Sequence, residues 1–169
     1  LLGLWMCAGF GCSVGPAPAL EPASEPAPVS VPNLVEALGI AVPHFTASRP
    51  IDVALRAEAG VRWIRRDVAW EKVEREVGTF DFSEADAVID AELAAGIEVL
   101  VVLDYGHPAY AAAANGDSTM PPDDVADFGR YAAAVAEHFR GRVSAYELWN
   151  EPNFFIFWKP EPSPEGYAA

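Results

Sequence analysis

Cysteine is nearly absent from these 169 residues: Cys7 and Cys12 are the only two, both within the first dozen. The body of the chain has none, which excludes a disulfide framework or a cysteine metal site there. Basic residues are scarce as well, 11 Lys and Arg against 25 Asp and Glu, for a formal net charge of −14. A nucleic-acid binder needs a basic footprint to displace counterions, so no nucleic-acid partner is expected, and anionic membrane surfaces are disfavoured for the same reason. No apolar run reaches the roughly 18 residues of an ordinary membrane-spanning helix. The three His are scattered, and neither HExxH nor GxSxG occurs, so no metal or cofactor is expected. What is present, 51% hydrophobic and 21% charged residues, describes a globular protein with room for a core. Its acidity suits a neutral or cationic substrate.

The first 32 residues differ in character from the rest. Residues 1–14, within LLGLWMCAGFGCSVG, are apolar and small, and resemble the end of a bacterial lipoprotein signal peptide whose beginning is missing. Gly9-Phe10-Gly11-Cys12 stands as the cleavage and lipidation box, which makes Cys12 a candidate lipid anchor and the protein an exported one. Residues 15–32, GPAPALEPASEPAPVSVP, are rich in proline and lack aromatics, as a semi-rigid spacer does. The folded domain is expected over 33–169.

Within it, apolar strands alternate with amphipathic helices. Strands are expected at 38–42, 61–67, 97–103 and 143–149, and helices at 51–59, from Ser83 to about Gly96, and at 123–140. Ser83 is the expected cap of the second helix, with Ala85, Val88, Ile89 and Leu93 facing inward. The third helix presents Val125, Phe128, Ala132, Val135 and Phe139. The stretch Glu71, Lys72, Glu74, Arg75, Glu76 reads as a solvated face, and Ala111–Ala114 as a turn without chemistry.

Helix-linked strands form a parallel sheet with right-handed crossovers, either open and doubly wound or closed into a (β/α)8 barrel. An open nucleotide-binding sheet would carry a Gly-rich first turn, and VPHFTASRP is not one. The strand ends instead carry His44, Asp67, Asp104 with His107, and Glu151, as the active face of a barrel requires. The expected fold class is therefore α/β, a TIM barrel limited to about its first four β/α units.

Residues 146–155, YELWNEPNFF, bring a carboxylate to the end of the fourth strand. Alternation places 147, 149 and 151 on one face and 148 and 150 on the other until the strand splays. Glu151 among Trp149, Phe154, Phe155 and Trp158 is expected to be partly desolvated, with a raised pKa suited to a general acid. Asn150 offers a sugar hydroxyl both a donor and an acceptor. Arg65 has a structural alternative, pairing with Glu147 across the interior.

WNEPN after a fourth strand resembles the acid/base signature of the clan A glycoside hydrolases, family 39 and its relatives in particular. GVRWIRRDVAW at 60–70, GTFDFSEADAVIDAELAAGIEVLVVLDYGHPAYA at 78–111 and YELWNEPN at 146–153 carry the resemblance, which covers about residues 36–169, the first half of a barrel of about 250 residues. It implies a retaining glycosidase acting on an oligo- or polysaccharide, with two carboxyls about 5–5.5 Å apart. Glu151 matches the acid/base, Asn150 the residue that holds the 2-hydroxyl, and Arg65 the second-strand Arg that supports the nucleophile. Tyr105 and His107 match third-strand residues lining the donor-sugar subsite, and Trp158 a platform aromatic. The family's nucleophile is a Glu on the seventh strand, and no carboxylate of this chain matches it. The resemblance thus implies a missing C-terminal half and an inactive fragment. The alternative is a non-catalytic carbohydrate-binding or vestigial half-barrel on a surface lipoprotein.

Overall fold

The computed structural model describes residues 38–42 and 49–169. The signal-like segment 1–14 with Cys12, the linker 15–32 and His44 lie outside the described residues. Among those described, four strands form one parallel sheet in the order β1 (Gly39–Val42), β2 (Trp63–Ala69), β3 (Glu98–Asp104), β4 (Ala145–Leu148). Helix α1 (Pro50–Glu58) links β1 to β2, and α2 (Trp70–Val73) and α3 (Ser83–Ala94) link β2 to β3. A single 3-10 turn (Pro108–Tyr110) and α4 (Val125–His138) lead to β4, and α5 (Pro164–Ala168) follows it. This is the expected succession of four β/α units.

Alternation along each strand sorts the residues by face. Ile64 and Val68 of β2 and Val99, Val101 and Leu103 of β3 face the helices, where Ala85, Ile89, Tyr131, Val135 and Phe139 bury them. Arg65, Asp67 and Ala69 alternate with them on β2 and face the other way. Leu100, Val102 and Asp104 stand opposite these three in register. One face of the sheet is thus a largely apolar core, and the other carries Arg65, Asp67 and Asp104.

The helix-facing side holds one charged group as well. The Arg66 guanidinium of β2 lies 2.6 Å from the Glu92 carboxylate of α3, both buried, and Arg56 of α1 reaches the same carboxylate. Ion pairing at this depth ties α1, β2 and α3 into one unit.

Several expectations shift. Strand β2 begins two residues later than expected, because Gly60 turns at φ +81° and the Val61 amide donates to the Arg56 carbonyl. Asp67 therefore lies inside β2, and Ala69 ends it. Ser83 is the first residue of α3, not its cap; the Asp81 carboxylate accepts from the Ser83 amide at 2.9 Å. Val125 is exposed at the start of α4, and Tyr131 fills the helix's inner face, its ring stacked on Trp70 at 5.2 Å.

Glu74 departs most from expectation. It is fully buried, not solvated. Its carboxylate accepts from the Trp70 indole, from the Tyr110 hydroxyl (2.6 Å), from the Gly78 amide (2.6 Å) and from Arg130 (3.2 Å). Burial by itself would push this carboxyl up, but these donors outweigh it and hold it at about 2.

Candidate functional site

The carboxyl ends of β2, β3 and β4 surround a cleft of about 580 Å3. Arg65, Asp67, Asp104, Tyr105 and Asn150 line it, with Phe157 and Ile156 from the turn after β4 and Thr119 from the loop after β3. Polar groups at the carboxyl ends of parallel strands are where such folds place their chemistry.

A chain of hydrogen bonds crosses the floor. Arg65 donates Nε–H and Nη2–H to the two oxygens of Glu147, each at 2.7 Å. Its Nη2 also donates to the Asn150 Oδ1 at 3.0 Å, and the Asn150 Nδ2 donates to the Tyr105 hydroxyl at 2.9 Å. A guanidinium can only donate, so the orientation of the Asn150 amide is determined by Arg65. The pair polarises both partners: Arg65 lowers the Glu147 pKa, and Glu147 raises that of Arg65. Burial pushes the Tyr105 phenol up to about 12, so it remains a hydroxyl throughout the neutral range. Its ring stacks on Phe157 with centroids 5.7 Å apart.

Glu151 does not occupy the position that alternation gives it. Strand β4 ends at Leu148, and both Trp149 (φ +62°) and Glu151 (φ +50°) take left-handed backbone conformations. Such conformations cost a non-glycine residue on the order of 1 kcal/mol each and abolish the two-residue period. Trp149 is turned into the protein, where its indole donates to the Phe157 carbonyl at 2.7 Å and packs on Trp158 at 4.9 Å. Asn150 enters the cleft. Glu151 stays exposed, near enough to Tyr105 for its charge to contribute to the rise of the phenol pKa. Phe154 and Phe155 are exposed too, so the expected apolar enclosure of Glu151 is not formed by them.

The structure thus brings Arg65, Asn150 and Tyr105 together, with Glu151 beside them. It does not bring His107 or Trp158 to the cleft. His107 is buried against Trp70 and Tyr110. Its Nδ1 accepts from the Ala109 amide (3.1 Å), so Nε2 carries the hydrogen given to the Glu74 carbonyl at 2.8 Å. Both ring nitrogens therefore serve the fold of the loop after β3. Trp158 packs between Trp149 and Tyr167 behind the cleft. Sequence reasoning overlooked Phe157, one position before Trp158 in the same aromatic run. Among the described residues no cluster of His, Cys, Asp or Glu could hold a metal ion.

The four-stranded parallel fold is similar to part of (β/α)8 glycoside hydrolases. No family model matches the sequence, and no curated protein matches it either. Solved structures do. A family 39 glycoside hydrolase from the gut symbiont Bacteroides cellulosilyticus WH2 is 29% identical, covering 70% of this chain and 25% of that one with a TM-score of 0.56. A GH39 enzyme from Xanthomonas axonopodis pv. citri is 23% identical over 77% of this chain and 30% of its own, TM-score 0.62. A monomeric beta-xylosidase from Caulobacter crescentus CB15 is 22% identical over 77% and 31%, TM-score 0.61. The last two likenesses are of fold. The chain spans about a quarter to a third of these structures, which are glycoside hydrolases, and it has the architecture of a piece of such a barrel.

Proposed function

We propose that the protein carrying this chain is a retaining glycoside hydrolase with Glu151 as its general acid/base. The observation that carries this reading is the hydrogen-bonded series Glu147–Arg65–Asn150–Tyr105 at the carboxyl ends of parallel strands, with Glu151 next in the chain. Asn150 is held rigidly enough to orient a sugar hydroxyl, and Tyr105 with Phe157 offers an aromatic surface to a ring face. Glu151 gives its proton to the departing glycosidic oxygen while a second carboxylate attacks the anomeric carbon. It then takes a proton from the water that releases the sugar. The second carboxylate belongs to a strand other than the four described. The substrate is an oligo- or polysaccharide, and Cys12 anchors the exported protein to a membrane through a lipid.

The test is Glu151→Gln in the full-length protein. Turnover should fall by about 100-fold or more on glycosides with poor leaving groups, and much less on activated aryl glycosides, which need little protonation. Equal turnover of wild type and variant on both substrate types would refute the assignment.

The exposure of Glu151 favours a second reading, a carbohydrate-binding half-barrel without catalysis. Calorimetry with oligosaccharides separates the two: binding without any turnover by the full-length protein supports the second.

A further inference from the structure

Asp104 ends β3 at the floor of the cleft, only 1% exposed, and its Oδ1 is buried without a hydrogen-bond partner. An unused buried acceptor costs roughly 1–3 kcal/mol, and such a group in a cleft is satisfied when a ligand supplies the partner. The surroundings define that ligand. Asp67 and Arg65 face Asp104 from β2 and Glu147 from β4; Tyr105 follows it in the chain, and Tyr131 approaches from α4. The only cation among these, Arg65, is already engaged by Glu147 and Asn150. Lys72 and Arg75 also line the cleft, but they pair with Glu71 and Glu84, so an anionic ligand would meet Asp67 and Asp104 with each of these cations already engaged. A neutral hydroxyl, which both gives and accepts a hydrogen bond, meets no such penalty.

We propose that Asp104 binds a hydroxyl of the sugar held in the cleft and so determines which sugar is accepted. The inference rests on the glycosidase reading. Burial, and after it the charge of Asp67, push the Asp104 carboxyl up to about 8, against the pull of Arg65. At neutral pH it carries its proton, and one oxygen donates while the other accepts. When the proton leaves, the donor is lost and a buried charge appears, so sugar binding weakens in alkaline solution.

The experiment uses the full-length protein and a panel of 4-nitrophenyl glycosides, with kcat and KM measured from about pH 5 to 9.5 on whichever is hydrolysed. Wild-type KM should rise by about tenfold above roughly pH 8; kcat is fitted separately, because general acid catalysis gives it an alkaline limb of its own. Asp104→Asn keeps one donor and one acceptor and cannot ionise: its KM should stay within about threefold of wild type at pH 6 and remain flat with pH. Asp104→Ala should raise KM at least about tenfold at pH 6. An Asp104→Asn variant that retains the alkaline rise overturns the inference even if Asp104→Ala fails to fold. Loss of binding at pH 6 in Asp104→Asn also overturns it, since the ligand then requires the carboxylate charge. If no glycoside in the panel is turned over by the wild type, the glycosidase reading fails first; hydrolysis with KM indifferent to residue 104 sinks this inference alone.

Discussion

Arg65 and Glu147 sit two strands apart, on β2 and β4, and join across β3 through two hydrogen bonds of 2.7 Å each. Strand neighbours lie about 4.8 Å apart, so the long Arg side chain spans a gap that a direct neighbour would not require. The same guanidinium orients Asn150. It therefore couples the spacing of the strands to the geometry of the cleft.

Replacing Arg65 with Met should separate these two duties. The side chains of the pair are 28% and 40% exposed, so solvent screens it and the loss of stability should be modest, about 1 kcal/mol. Asn150 would lose the donor that selects its amide orientation. On the glycosidase reading kcat/KM should fall by about 10–100-fold, far more than the melting temperature suggests. Activity and thermal melting measured on the same full-length variant check the split; a variant that loses both in proportion would show a merely structural role.

Glu74 should make the fold acid-sensitive. Its carboxyl titrates at about 2 when folded against an ordinary 4.5. A depressed folded pKa contributes stability that is fully present above about 4.5 and disappears as pH falls toward 2. The shift corresponds to about 3 kcal/mol. Glu74→Gln should remove this acid-labile part and in addition leave a donor facing Trp70, Tyr110, Gly78 or Arg130. A cost of about 2–4 kcal/mol is expected at pH 7, shrinking at pH 3. Denaturant unfolding at the two pH values measures it, and an equal cost at both would contradict the argument.

Much of this architecture was legible in the residues, and the exceptions share a cause. The parallel order could be read from helical and strand periods because those are local. Residues 65 and 147 could be placed on one interior by alternation, and the Arg65–Glu147 pair is found. Glu74 could not be read, because its partners at 110 and 130 are distant in sequence and nothing near residues 71–76 distinguishes it from a solvated charge. His107 looked like a substrate ligand for the same reason: its acceptor is the backbone of Glu74. At Trp149 and Glu151 a different rule failed. Alternation holds only while the backbone stays extended, and two left-handed residues reversed which side chains face the cleft.

Glu92 offers a test of buried charge. It is fully buried beneath α1 and β2, where Arg66 and Arg56 donate to it. Glu92→Leu alone should destabilise by about 3–5 kcal/mol, because the buried Arg66 keeps its charge and loses this carboxylate. Adding Arg66→Met should recover most of that loss, as apolar groups of similar volume replace the pair. Urea unfolding of the single and double variants decides it. A double variant no more stable than the single one would mean that the pair contributes through its own attraction.

Gly106 tests how the loop after β3 is placed against the cleft. Its amide donates to the Ser118 carbonyl at 2.6 Å. A Cβ at this position would lie 1.9 Å from the Met120 carbonyl oxygen and 3.2 Å from that of Ser118. Both obstacles are backbone, so no side chain can rotate away to make room. The loop 117–120 must move instead, and it is fastened to the turn after β4: the Lys159 ammonium pairs with Asp117 and the Lys159 amide donates to the Thr119 carbonyl. Gly106→Ala should therefore cost at least about 2 kcal/mol and displace Thr119 and Phe157 from the cleft wall together. Gly129→Ala, where a Cβ meets nothing within 4 Å, serves as the control and should be neutral or slightly stabilising by helix propensity. Thermal melts of the two variants make the comparison; equal melting temperatures would show that the 117–120 loop yields without cost.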